Sequence, residues 1–449
     1  MAIDPRAIPP AVVAICRELG MAGFSAFIVG GAVRDLLRGR PPGDWDVATS
    51  ARPEEVLALF PGSLPTGLKY GTVTVIRDGL RVEVTTFRAE EAYEDGRHPE
   101  RLVFGVSLEE DLARRDFTVN AMAYDPLSGR LVDPHGGRRD LARKIVRTVG
   151  DPAVRFREDA LRMLRLYRFA ATLGMRPDPA AERAIMPALL GRISPERIRD
   201  ELAKLLLASK PAAALRGLAD SGLLATIAPE FTAADRDLLR HSFAAAQEIS
   251  PSLHLRLAAL LHDLGKPAAR VLVEGEVHFY GHDEIGAEMA RSVLTRLRFA
   301  RDLVETVVHL IRLHMFQLPL PPSEAALRRL LHRAGDPEAL RDLLELRRAD
   351  ILATGGISGR TAEIWRELVS RVEEFLAARP AFSLKDLALD GNDVMRILGI
   401  GPGPAVGAAL RDLLAKILEE PSLNNRADLE RLLRERRPGT PPHPGEDRS

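Results

Sequence analysis

The sequence has very little cysteine. Its 449 residues include one, Cys16, which excludes an internal disulfide framework and any cysteine-only metal site. Net charge is also missing: 63 Lys and Arg balance 63 Asp and Glu, so nothing global advertises a nucleic-acid partner. No apolar run approaches the length of a membrane span, and the first residues lack the apolar core of a signal peptide. The expectation is a soluble cytoplasmic protein with no membrane partner. Internal repeats are absent as well. At this length one ordinary core is not enough, and two to four domains are expected.

The balanced charge is unevenly placed. Residues 136–176 carry eleven Lys and Arg against four acids, a local belt that suits either a phosphate-backbone contact or a solvated helical face. Residues 1–20 read as an amphipathic helix preceded by prolines. Phe27-Ile28-Val29, Thr72 to Ile76 and Arg81 to Phe87 are β-branched runs, and Asp78-Gly79 between the last two predicts a hairpin. A helix is expected to start near Pro53, after Ser50. Beyond Gly136-Gly137 the pattern predicts helices only, broken at short Gly, Pro and Asp clusters. The fold class is therefore α+β, a small mixed-sheet head followed by helical domains. Soft boundaries near 138, 205 and 377 divide the chain into 1–138, 139–205, 206–377 and 378–437, with 438–449 a disordered tail rich in Pro, Gly and charge.

Within the head, the apolar run Ile28-Val29 ends in Gly30-Gly31, which lets backbone approach a bulky anion. Arg34 and Asp35 follow, then Asp44-Trp45-Asp46. If a strand continues through Asp46, the two carboxylates share a face and call for a hard divalent cation, although Asp-x-Asp is also common on solvated loops. Glu83, between Val82 and Val84, faces the opposite side from both. It is either a third carboxylate for a two-Mg²⁺ site or a cross-strand ion-pair partner. Arg114-Arg115-Asp116-Phe117-Thr118-Val119-Asn120 offers donors for a triphosphate and polar groups for a ribose, or simply follows a capped surface helix. Glu158, Asp159 and Arg162 are expected on one face of a helix whose other face is Met163, Leu166, Tyr167 and Ala170. An ordinary i,i+4 pair would explain them. So would a base reader: a carboxylate accepts from an exocyclic amine while an arginine donates to the acceptor beside it, a pattern cytosine and adenine present and uracil and guanine do not.

These stretches, in this order, resemble the bacterial class II tRNA nucleotidyltransferases, the CCA-adding enzymes of the poly(A) polymerase family. The resemblance is dense over the first 200 residues, and Ser194-Pro195-Glu196-Arg197-Ile198 is similar to the last motif of that region. It implies a polymerase-β-like head using Mg²⁺ at Asp44 and Asp46; Glu83 is a candidate third catalytic carboxylate from its place in the strand. It also implies that Arg114 and Asp116 lie near the nucleotide's phosphates and sugar, and Gly30, Gly31, Arg34, Asn120 and Arg165 are further candidates for nucleotide binding. Glu158, Asp159 and Arg162 would be a protein template for CTP and ATP, and tRNA the partner. Members adding only CC or only A, and poly(A) polymerases, stay as alternatives. The segment from Glu90 to Arg101, shortened in CC-only members, is full length here, and an arginine-rich poly(A) polymerase neck is not seen.

In the second half, His262-Asp263 ends an apolar helix, with His241 upstream and Asp350 downstream. These four resemble the metal ligands of HD phosphohydrolases, and His282 and His314 are further candidates. A mixed imidazole and carboxylate set suits Mn, Ni, Fe or Mg. A rival reading is therefore a metal phosphohydrolase whose head only binds RNA; a dry, structural body is a third. Asn392-Asp393 and the glycines from 399 to 407 resemble the family's C-terminal tail, where amides before a helix hold RNA phosphates or the glycines merely turn between helices. Nothing in the sequence assigns an oligomeric state.

Overall fold

A computed structural model describes residues 2–91, 101–318, 321–355 and 359–435. The segment Glu90 to Arg101 lies largely outside these residues, as does the tail from 438. The chain forms two compact units, Met1–Pro229 and Glu230–Ser449, a coarser division than the expected four segments.

The first unit begins with α1 (Pro10–Met21) and strand β1 (Ala26–Val29), then α2 (Gly31–Leu37), β2 (Trp45–Thr49) and α3 (Pro53–Leu59). Four strands follow: β3 (Leu64–Gly67), β4 (Thr72–Arg77), β5 (Leu80–Thr86) and β6 (Arg88–Glu91). After β7 (Arg101–Phe104) come α4 (Leu108–Ala113), β8 (Ala123–Tyr124) and β9 (Leu131–Val132). Seven strands make one mixed sheet in the order β3-β4-β5-β2-β1-β8-β9, while β6 and β7 pair separately. Asp78 and Gly79 have φ of 50° and 76°, the positive values that the tight turn between β4 and β5 requires. Alternation does the sorting. In β5, Val82 and Val84 are fully buried while Glu83 is exposed on the other face. One side of the sheet packs Phe27, Val29, Ala48, Phe87 and Ala123 against Leu108 and Leu112 of α4.

Strands do not stop after Gly137. The unit continues with α5 (Gly137–Arg143), β10 (Ile145–Val146), α6 (Pro152–Glu158), α7 (Leu161–Leu173), β11 (Arg176–Pro177), α8 (Pro179–Arg183) and α9 (Pro195–Leu206). Strands β10 and β11 are a two-residue parallel pair. The expected face of α7 is buried, with Met163, Leu166, Tyr167 and Ala170 all inside.

Among its described residues the second unit has helices and one hairpin, β12 (Arg270–Val273) and β13 (Glu276–Phe279). Its turn is Glu274-Gly275, with φ of 52° and 85°. Helices Leu253–Leu261, Arg301–Leu313 and Pro337–Ala353 bury Leu and Val faces. A separate cluster of Leu389, Val394, Ala409, Leu413, Ile417, Leu429 and Leu433 closes the last three helices. There Gly399 to Gly403 join helix Gly391–Leu398 to helix Pro404–Glu419, and Pro404 brings no N–H to that helix start. The described tail thus shows an interhelical turn.

Candidate active site

The head's chemistry gathers around a cavity of about 860 Å³. Three carboxylates stand on one wall. Asp44 immediately precedes β2 and Asp46 lies within it; on parallel β5, Glu83 is the residue in register with Asp46. Neighbouring strands thus place both side chains on the same face. Burial pushes the Asp46 carboxyl up to about 6, and the Glu83 and Asp44 charges push the same way while Arg115 opposes. A carboxylate in that position gains from a cation beside it.

Gly30 forms the cavity floor between β1 and α2. Its φ is 70° and ψ −131°, a conformation glycine alone adopts readily, and a Cβ there would meet Arg115 Nη1 at 3.0 Å and Asp46 Oδ2 at 3.6 Å. Gly31 and Arg34 also line the cavity.

The facing wall is cationic. α4 is the capped helix that its sequence suggests: Ser107 and Glu110 cap it reciprocally. Its buried Asp111 then fixes both following arginines. Arg114 donates to Asp111 Oδ1 at 2.8 Å and Arg115 to Oδ2 at 3.2 Å. Asp116 accepts from Asn120 Nδ2 at 3.1 Å and from the Phe117 N–H at 2.7 Å. Its other oxygen lies 2.6 Å from Arg165. Burial alone would raise the Asp116 carboxyl, but Arg165 and Asn120 hold it below its ordinary value. Asn120 in turn accepts from Arg34 at 2.7 Å, and three guanidiniums, those of Arg34, Arg165 and Arg168, surround the Phe169 ring.

The expected single helix through Glu158 and Arg162 does not form. α6 ends at Glu158, Asp159 is extended (φ −143°, ψ 105°), and α7 starts at Leu161. The Asp159 side chain accepts from Leu161 N at 3.0 Å, the local competition that makes Asp a helix breaker and a cap. The break turns Asp159 toward the cavity, where Arg197 of α9 holds its other oxygen at 2.9 Å. Arg162 is 93% buried by its 7% exposure, yet reaches the cavity. It is pinned by Glu158 at 2.5 Å and by the carbonyls of Arg155 and Arg114 at 3.2 Å each. Glu158 does not line the cavity; it sits between Arg155 and Arg162 and supports the latter.

Asp111 and Phe169 were not singled out from sequence, and Arg197 was noted only within the Ser194 to Ile198 motif, without its partner Asp159. Asp111 precedes Arg114 and Arg115 by three and four residues, a spacing that could have found it. Phe169 is buried on α7, and Arg197 sits far along the chain from the carboxylate it holds.

In the second unit, five elements converge. His241 comes from helix Arg236–Glu248, His262 and Asp263 from the end of helix Leu253–Leu261, His282 from the start of helix His282–Arg296, His314 from the end of helix Arg301–Leu313, and Asp350 from helix Pro337–Ala353. Gly265 permits the crossing, since a Cβ there would lie 2.2 Å from the His282 carbonyl. His241 Nε2 stands 3.1 Å from Asp350 Oδ1 and 3.5 Å from Asp263 Oδ2. His262 is wholly buried; burial favours its neutral form, but Asp263 and Asp350 overcome this and push it up to about 10. The buried carboxylate of Asp263 and the half-buried one of Asp350 favour positive charge beside them. His314 goes the other way, down to about 4, through burial and the charge of His262.

Residues 26–147 match the family described as Poly A polymerase head domain, 174–235 that described as Probable RNA and SrmB-binding site of polymerase A, and 239–355 the HD domain. The CCA-adding enzyme of Geobacillus stearothermophilus is 39% identical over 404 residues, covering 88% of this chain and 89% of that one. This chain belongs to the CCA-adding enzyme family. The Bacillus licheniformis CCA-adding enzyme is 34% identical over 431 residues, 93% of this chain and 96% of its own length. The crystal structure of Bacillus stearothermophilus CCA-adding enzyme in complex with CTP superimposes with a TM-score of 0.75 at 32% identity, over 95% of this chain and 98% of that one. Thermotoga maritima CCA-adding enzyme complexed with tRNA shares the fold, with a TM-score of 0.57 at 21% identity over 95% and 96% of the two chains. Membership in the CCA-adding family and the HD domain imply use of divalent metal, and the carboxylates and histidines above are the candidate ligands. No helix among the described residues is long and apolar enough to cross a membrane.

Proposed function

We propose that this chain adds C, C and A to the 3′ end of cytoplasmic tRNA from CTP and ATP, without a nucleic-acid template. The observation that carries this reading is the single cavity in which Asp44, Asp46 and Glu83 face Arg114 and Arg115 while Asp159 and Arg162 close one side. Bound Mg²⁺ would supply charge neutralisation and a lowered pKa at the attacking hydroxyl. Asp44, Asp46 and Glu83 are its proposed holders; burial together with the neighbouring carboxylates raises Asp46, which fits that role. The 3′-hydroxyl oxygen of tRNA bonds to the α-phosphorus, the bond to the β-phosphate bridging oxygen breaks, and pyrophosphate leaves. Gly30 and Gly31 let the phosphates approach the backbone, Arg34, Arg114 and Arg165 contribute positive charge, and Asp116 and Asn120 face the sugar. Asp159 accepts from the base's amine while Arg162 donates to the ring acceptor beside it, so that CTP and ATP are taken and UTP and GTP refused. Glu158 positions Arg162.

We assign the catalytic head to 1–138, the base-selecting neck to 139–205, the metal-binding body to 206–377 and a tRNA-contacting tail to 378–437. In the body His241, His262, Asp263 and Asp350 are proposed to hold a divalent ion such as Mn, Ni, Fe or Mg. Their convergence favours a phosphohydrolase activity as a second function. The test supplies tRNA lacking its 3′ CCA with Mg²⁺ and single or mixed nucleotides. Growth by C, C and A is expected; C alone or A alone would reassign the chain within the family, and incorporation of neither would end the proposal.

A further inference from the structure

Exposed apolar side chains concentrate on one element of the second unit, the β12–β13 hairpin and the residues just after it. Val271, Leu272, Val273, Val277, Tyr280 and Ile285 are all exposed, Leu272 to 71% and Tyr280 to 66%. Single exposed apolar residues are ordinary, but a concentration of them marks contact with another molecule. The two strands stand alone as a sheet. A lone two-stranded hairpin is marginal in water and gains from further strands.

The strands are not equivalent. β13 is the inner one: His278 and Phe279 are half-buried, and the Lys266 ammonium stands 6.0 Å from the Phe279 ring centroid. All four residues of β12 are exposed, and its outer edge pairs with no strand among the described residues. The register sets what that edge offers. Val273 is opposite Glu276 across the two-residue turn, and such a pair exchanges both its hydrogen bonds. Peptide groups alternate along a strand, so Leu272 directs its N–H and C=O to the open side. Proteins usually protect a free edge with Pro, Lys or a bulge, whereas β12 presents Val-Leu-Val.

The residues of this edge point to its occupant. Residues 270–274 read Arg-Val-Leu-Val-Glu, apolar about a central leucine with opposite charges at the two ends. Both end charges are exposed, and neither is ion-paired among the described residues. Turned antiparallel on itself about Leu272, the segment sets Leu272 against its own copy and Val271 against Val273 of the second copy. Arg270 then faces Glu274 of the second copy, twice by symmetry. A parallel, in-register alignment would instead set like charges together. Leu272 and Val277 are opposite each other within the hairpin, so with their symmetry mates they line one face as a continuous apolar row.

We propose that two copies of this chain associate through β12, antiparallel about a two-fold axis at Leu272, to make a four-stranded sheet in the order β13-β12-β12-β13. The assembly stops at two, because the contact occupies β12 of each copy and β13, Glu276 to Phe279, has no such charge pattern. Strands this short bury less than a standard interface, so the affinity is micromolar and weakens with salt.

Sedimentation velocity of the full-length chain over roughly 1 to 100 µM, a range bracketing that affinity, should show a monomer–dimer equilibrium. Arg270→Glu should raise the dissociation constant about tenfold or more, and Arg270→Glu combined with Glu274→Arg should restore it. The axis has its own test. Cys16 is buried, so mild oxidation of Leu272→Cys should give a covalent dimer joined at that position. Val277→Cys, one strand further from the axis, should not cross-link. Should Arg270→Glu misfold, the charge-swapped and Leu272→Cys variants decide. A monomer throughout the range with no cross-link at 272 overturns the proposal. So does a dimer that Arg270→Glu leaves intact, since its interface lies elsewhere. Hairpin amides protected from hydrogen exchange only when tRNA is added, in a chain that stays monomeric, would give this surface to RNA and also overturn the pairing.

Discussion

The head and the body both gather carboxylates, but they balance the charge in opposite ways. In the head, Asp44, Asp46 and Glu83 stand on a sheet with an open cavity before them, and the arginines opposite are already engaged by Asp111, Asp116 and Glu158. In the body, Asp263 and Asp350 stand among four imidazoles from four helices, those of His241, His262, His282 and His314. The difference is that the head's carboxylates face an open cavity and cationic side chains, whereas the body's face imidazoles.

Substitutions should separate the two. Asp46→Asn is expected to lower nucleotide addition by about a thousandfold, the several kcal/mol that metal-ion charge stabilisation supplies, while the body's metal content is unchanged. His262→Ala should do the reverse, emptying the body and leaving addition within about twofold. Parallel measurement of turnover and metal content checks both, and loss of addition in His262→Ala would erase the distinction. Next in size is Asp111→Asn. It deprives two half-buried arginines of their common partner, and the cost should be on the order of 3 kcal/mol in denaturant unfolding, with a raised KM for CTP and ATP.

Gly30→Ala forces a strained backbone and a contact with Arg115, about 1–3 kcal/mol of local strain. Addition should fall roughly tenfold with little change in the body's metal binding. The smallest effect is a pH shift. Asp46 titrates near 6 in the folded chain, above its ordinary 3.8. At limiting Mg²⁺, addition should therefore decline below about pH 6, and excess Mg²⁺ should move the decline to lower pH. A raised carboxyl favours the folded state below pH 3.8, and this contribution is lost as pH rises through 6. At pH 7 the charged Asp46 is thus a net cost, and Asp46→Asn should unfold at a higher temperature than the original chain.

Much of this was legible in the residues. The β4–β5 hairpin was visible in Asp78-Gly79, and Glu83 in the alternation around it, because both depend on neighbours in sequence. The β12–β13 hairpin carries the same signals, Val271-Leu272-Val273 and Glu274-Gly275, but was submerged in a helical surround. The break at Asp159 was missed for a different reason. Helical spacing predicts a continuous face, whereas the Asp159 side chain takes the Leu161 amide and its far oxygen goes to Arg197, 38 residues on. Tertiary partners of that kind leave no periodic trace. The same holds for Asp263, whose two oxygens serve histidines from separate helices; the motif gives the residue and not the division of its contacts.

The central claim is that protein side chains choose the nucleotide. Its most direct test is the ratio of kcat/KM for CTP over UTP, and for ATP over GTP, in Arg162→Ala on tRNA lacking its 3′ end. The account predicts that both ratios fall by about tenfold or more, as expected for loss of a bidentate contact worth roughly 1–3 kcal/mol, while triphosphate binding weakens less. Ratios equal to those of the original chain would contradict it.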